Sequence, residues 1–202
     1  MDHFEVFGLP RRLGIDAAAL QRQFYELSRR YHPDFHQDAT PAEQARVLEA
    51  SARVNAAYRA LRDPLARIEY LVRLEEGRET SEGAAVKPRP PADLLAEIFE
   101  IQETLEEAKA SRLDASGRAR LDEQRARLMM RLSEEEQRLR GPLSQAWDAA
   151  SDAAARTSVL AQFKDSLAAR AYLRTVVDDL AETIGDGREP REEQGHVAHH
   201  RH

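Results

Sequence analysis

Three consecutive residues, His32-Pro33-Asp34, put an imidazole and a carboxylate on either side of a proline. The proline pushes the residue before it out of the helical region and so stops a helix. On an exposed turn between two helices, such a pair can hydrogen-bond to a partner or meet an arginine. The segment just upstream carries Arg22, Arg29 and Arg30, which read either as a basic face for an acidic partner surface or as ordinary solvated helix charges. A second constellation is acidic. Residues 93–109 hold six acids and one base, whereas residues 1–76 hold 12 acids against 11 bases. Within the acidic run, Leu94, Ile98, Ile101, Leu105 and Ala108 form one helical stripe, and Leu95 and Phe99 fall about 100° from it, beside Glu100, Glu103 and Glu107. An apolar pair ringed by carboxylates is a candidate binding patch; the other reading is that Leu95 and Phe99 widen the core stripe.

Other chemistry is excluded or unsupported. The chain has no cysteine, so it can hold no disulfide, no thiolate metal site, no cysteine-ligated iron–sulfur cluster and no cysteine nucleophile. No phosphate-binding glycine loop and no Ser/His/Asp arrangement is present, so no catalytic residue and no cofactor is expected. His196, His199, His200 and His202 lie in a polar tail that fixes no geometry, and no metal site is expected there. The net charge of −6 argues against nucleic-acid binding, which needs a basic face. No apolar run approaches the roughly 20 residues of a membrane span, and the first ten residues carry acids where a signal peptide needs bases. No membrane association is expected, and the chain reads as cytoplasmic.

Helices must position these groups. Over 202 residues the chain is 33% charged, 42% hydrophobic and 6% aromatic, a mixture that predicts an all-α protein. A turn or two of helix opens the chain and stops at Gly8 and Pro10. Asp16 is a candidate N-cap for Ala17 to Tyr31, with Leu20, Phe24, Leu27 and Tyr31 on one face. Thr40-Pro41-Ala42-Glu43 is a capping box with proline at the first helical position, opening a helix to about Arg62 whose inward stripe is Val47, Ala50 or Ser51, Val54, Tyr58 and Leu61. Asp63-Pro64 starts a fourth helix with Ile68, Leu71 and Leu74 inward, ending before Gly77.

The chain therefore divides into a helical block at 1–76, a Gly- and Pro-containing linker at 77–91, a second helical block at 92–185 and a tail at 186–202 expected to be disordered. In the second block Asp114 to Gly117 reads as a turn. Leu121, Leu128, Leu132 and Leu139 form the next stripe, Gly141-Pro142 reads as a helix break, and a last stretch runs from Ser144 to about Ile184 with an interruption near Arg156. Leu160, Phe163, Leu167, Leu173, Val177, Leu180 and Ile184 form its inward face. Short loops between three helices favour an antiparallel three-helix bundle.

His32-Pro33-Asp34 between two such helices, followed by Asn55, Tyr58, Leu61, Asp63-Pro64, Arg67 and Tyr70 in the pattern N-x-x-Y-x-x-L-x-D-P-x-x-R-x-x-Y, resembles a J-domain, the module that stimulates DnaK-type chaperone ATPases. The opening M-D-x-F-x-x-F-G-L-P, the run Arg67-Ile68-Glu69-Tyr70-Leu71 and the helical second block together resemble the HscB family, co-chaperones of iron–sulfur cluster assembly. The resemblance implies an all-α J-domain with a helical hairpin, followed by a C-terminal three-helix bundle. It implies an HscA-like DnaK-type chaperone as one partner, bound through His32, Pro33, Asp34, Arg22, Arg29 and Arg30. It implies an IscU-like cluster scaffold as the other, bound through Leu95, Ala96, Phe99, Glu100, Glu103 and Glu107. Tyr172, or Phe163 in its place, is the expected contact from the last helix. The alternative is a generic J-domain adaptor whose bundle recruits an unrelated client.

Overall fold

The computed structural model describes residues 1–77, 99–103, 106 and 115–185, and every regular element among them is helical. Local caps set the first boundaries. In α1 (His3–Val6) the Asp2 carboxylate accepts from the Glu5 N–H while the Glu5 carboxylate accepts from the Asp2 N–H, and Gly8 turns the chain at φ +62°. Asp16 caps α2 (Ala17–Arg30) by accepting from Ala18 and Ala19. A single 3-10 turn, Pro33–His36, leads to α3 (Pro41–Arg62), which opens on the Thr40/Glu43 capping box. Asp63 ends α3 and caps α4 (Pro64–Glu75).

The helices α2 and α3 pack as a hairpin, with α1 and α4 against α3. The expected stripes face inward: Leu20, Val54, Leu61, Ile68 and Leu71 are buried, and Phe24 stacks on Tyr58 with ring centroids 4.0 Å apart. Arg67 is buried as well. Its guanidinium donates to the carbonyls of Leu61 and Leu13, so a charge inside the core is met by backbone oxygens.

The second block comprises the helical residues 99–103 and 106 (α5), then α6 (Ala115–Arg138), α7 (Ser144–Ala149) and α8 (Ala153–Ile184). α6 and α8 lie along each other over a core of Ile101, Leu121, Leu128, Leu173, Val177, Leu180 and Ile184. Three expectations are corrected. Ala115 to Gly117 are the first turn of α6, not a loop. Gly141-Pro142 does not break the chain: residues Leu139–Leu143 form one π-helical turn joining α6 to α7. Pro142 supplies no N–H and would crowd a normal turn, so the turn widens, and the Ser144 hydroxyl donates to the Leu139 carbonyl at 2.6 Å. The true interruption comes at residues 150–152, before the position near Arg156, where Ala150 is extended and Asp152 caps α8 through Ala155. Residues 78–91 of the expected linker, the tail, and Leu94, Ile98, Leu105 and Ala108 of the expected stripe lie outside the described residues.

The core of the first block is completed by the second. Leu139, Leu143, Trp147, Val159 and Phe163 belong to the same apolar cluster as Phe4, Leu13, Leu61 and Leu71. Polar contacts border this junction. Arg170 of α8, its side chain 13% exposed, pairs with Glu69 of α4 and Glu136 of α6, and Lys164 pairs with Glu76.

Candidate functional site

Pro33 holds His32 extended at φ −74° and ψ 127°, where its Nδ1 accepts from the Asp34 N–H at 3.3 Å. Nδ1 also lies 3.6 Å from an Asp34 carboxylate oxygen, and the two side chains are 53% and 73% exposed. Phe35 sits edge-on to the imidazole, centroids 5.9 Å apart, and is itself 67% exposed. The base of the turn is tied down where its tip is not. His36 Nε2 is 2.9 Å from the Arg30 carbonyl, and the Gln44 amide of α3 donates to the Gln37 carbonyl at 2.8 Å. The turn thus offers a donor–acceptor pair at a fixed place, with a cleft of about 220 Å³ beneath it lined by Pro33, Asp34, His36, Gln44, Val47 and Leu48.

Arg29 and Arg30 lie exposed at the end of α2 beside this turn, and Arg22 lies exposed about 10 Å upstream on the same helix. Tyr25, Phe35 and Leu48 are exposed apolar groups flanking these bases and the turn, and the sequence reading passed over them. Their signal was available: each falls off the inward stripe of its segment.

In the second block, Phe99 is 67% exposed while Ile101, two residues on, is 1% exposed. Glu100 and Glu103 are exposed with Phe99. Tyr172 is half-buried against the cluster that contains Ile101, and burial, then the nearby Asp179 carboxylate, pushes its phenol up from the usual tyrosine value. Phe163 is fully buried, 6.3 Å from the Trp147 ring, and belongs to the junction rather than to a surface. Leu95, Ala96 and Glu107 lie outside the described residues. Among the described residues, no three His, Asp or Glu side chains gather as a metal site, and no helix is long and apolar enough to cross a membrane.

A helical hairpin that presents His-Pro-Asp at its tip defines the J-domain class of proteins. The family model of the DnaJ domain matches residues 2–70, and that of the HSCB C-terminal oligomerisation domain matches residues 90–168. Among solved structures, the chain is similar to the chaperone HscB from Vibrio cholerae, at 27% identity and a TM-score of 0.51, over 89% of this chain and 99% of that one. It shares its fold with the human co-chaperone protein HscB, at 22% identity and a TM-score of 0.60, over 90% of this chain and 81% of that one. With both family models matched in order, the chain belongs to the HscB-type J-domain co-chaperones.

Proposed function

We propose that the chain stimulates the ATPase of a specialised, HscA-like DnaK-type chaperone and delivers an IscU-like iron–sulfur scaffold protein to it during cluster assembly, acting in the cytoplasm and without catalysis of its own. The observation that carries this reading is the His32-Pro33-Asp34 turn, fixed at its base by His36 and Gln44 and open at its tip. Arg22, Arg29 and Arg30 extend the contact along α2 toward an acidic chaperone surface, and exposed charges of this kind chiefly set association rate and salt dependence. The scaffold is met by Leu95, Ala96, Phe99 and Tyr172 as an apolar centre, with Glu100, Glu103 and Glu107 as its rim. An exposed phenylalanine between carboxylates supports this reading, because such a group serves a partner better than it serves a core.

Isothermal titration of the chain against a cluster scaffold protein, run beside steady-state ATPase assays of a DnaK-type chaperone, tests both halves. Scaffold binding together with ATPase stimulation is the expected result. Stimulation without scaffold binding would leave the generic J-domain adaptor as the better reading.

A further inference from the structure

The segment 10–15 joins α1 to α2 and is held by side chains from both blocks. Trp147 Nε1 donates to the Arg11 carbonyl at 3.1 Å. The Asp148 carboxylate accepts from the N–H groups of Leu13 and Gly14, each at 2.7 Å. Arg67 donates to the Leu13 carbonyl from the other side. Two backbone N–H groups aimed at one carboxylate form a small anion nest, and charge-assisted bonds of this kind are short and directional. Gly14 leaves room for the approach: a Cβ there would meet an Asp148 carboxylate oxygen at 3.1 Å and press it back. Two residues beyond Gly14, Asp16 caps α2. A shift of the nest therefore passes directly to the helix that carries Arg22, Arg29 and Arg30 and leads into the His32-Pro33-Asp34 turn.

We propose that Asp148 is a positioning residue: by holding the Leu13-Gly14 nest, it fixes the direction in which α2 and the His32-Pro33-Asp34 turn point relative to α8 and Tyr172. This rests on the two-partner reading above. A scaffold carried on α5 and α8 meets the chaperone at an effective concentration set by the stiffness of the connection between the two sites, and a looser connection lowers it. The nest makes that connection stiff without touching either partner.

The chain has no cysteine, so Gln23→Cys on α2 and Asp178→Cys on α8, both exposed positions, give two unique spin-label sites. Electron–electron resonance should return one narrow distance distribution in the parent background and a broadened one in Asp148→Asn. Gly14→Ala, which crowds the carboxylate and leaves its charge, should broaden it too and serves where Asp148→Asn folds poorly. Unlabelled variants should stimulate the chaperone like the parent when no scaffold is present, while the apparent affinity of scaffold for chaperone in the presence of the chain falls about fivefold. A purely structural lesion would lower both. Distance distributions unchanged in both variants would overturn the lock. Broadened distributions with an unchanged ternary affinity would overturn its role in delivery. A parent that gives no ternary gain refutes the two-partner reading, and the distance distributions still decide the lock.

Discussion

α2 has a connection at each end, and the two are built in opposite ways. Residues 10–15, at its N-terminus, are tethered: Pro10, Arg11, Arg12 and Gly14 are exposed, but Leu13 is 5% exposed, and the backbone is held by Arg67, Trp147 and Asp148. Residues 32–36, at its C-terminus, place His32, Asp34 and Phe35 in solvent and anchor only the base of the turn. Buried polar groups must be satisfied within the protein, whereas exposed ones remain available to a partner. The tethered connection fixes the backbone that leads into α2, and the open one leaves polar groups free to meet a partner. One helix thus links the internal framework to the external contact.

The comparison is broken most severely by removing the side chain that tethers the N-terminal end. Trp147→Ala should cost about 3–5 kcal/mol of stability in urea denaturation, the range for large aromatic truncations in a core. A loss near the surface range of about 0.5 kcal/mol would remove Trp147 from the core. At the proposed scaffold patch, the double variant Leu95→Ala/Phe99→Ala should lose about 2 kcal/mol or more of scaffold affinity by titration, a hot-spot magnitude, with chaperone stimulation intact. Unchanged affinity would return both residues to a core role. Charges sharpen the contrast further. Arg170→Met should destabilise by about 1 kcal/mol, because it removes the link between Glu69 and Glu136 while Glu136 keeps its pair with Arg140 and Glu69 stays solvated. Arg22→Met, on the exposed face of α2, should stay within about 0.5 kcal/mol in the same assay.

The remaining effect is a pH dependence. Burial works against ionisation of Asp2, but the Glu5 and Phe4 N–H groups and the Arg11 guanidinium outweigh it and hold its carboxyl below the ordinary aspartate value. A depressed folded-state pKa adds stability that is present above the unfolded value and is lost as pH falls through the folded one. Asp2→Asn, which keeps the cap but loses the charge paired with Arg11, should therefore lower stability at neutral pH by less than about 1 kcal/mol and flatten the acid limb of the unfolding curve. An acid limb identical to the parent's would remove Asp2 from that account.

The two connections also differ in how far they were legible. The first four helices could be bounded from sequence because their caps are local: Asp16, the Thr40/Glu43 box and Asp63-Pro64 each satisfy backbone groups within three residues. The His32-Pro33-Asp34 turn was legible for the same reason. Arg67 stood out only as a motif position, since its partners are carbonyls 6 and 54 residues away. Asp148 gave no signal, because its nest lies 134 and 135 residues away. Gly141-Pro142 misled because the widened turn depends on Ser144 and on packing against the first block. The cap at Asp152 could have been read from Ser151-Asp152 before an alanine run. At the proposed scaffold patch the sequence could name Leu95, Phe99 and the glutamates, but whether Phe99 faced solvent or core was a matter of tertiary packing.

The central claim is that the open turn acts on a chaperone ATPase, and steady-state ATP hydrolysis by a DnaK-type chaperone tests it most directly. The parent chain should raise the rate. His32→Gln should abolish that stimulation while helicity and melting stay unchanged, because the side chain lies outside both apolar cores. A His32→Gln variant that stimulates as the parent does would contradict the account.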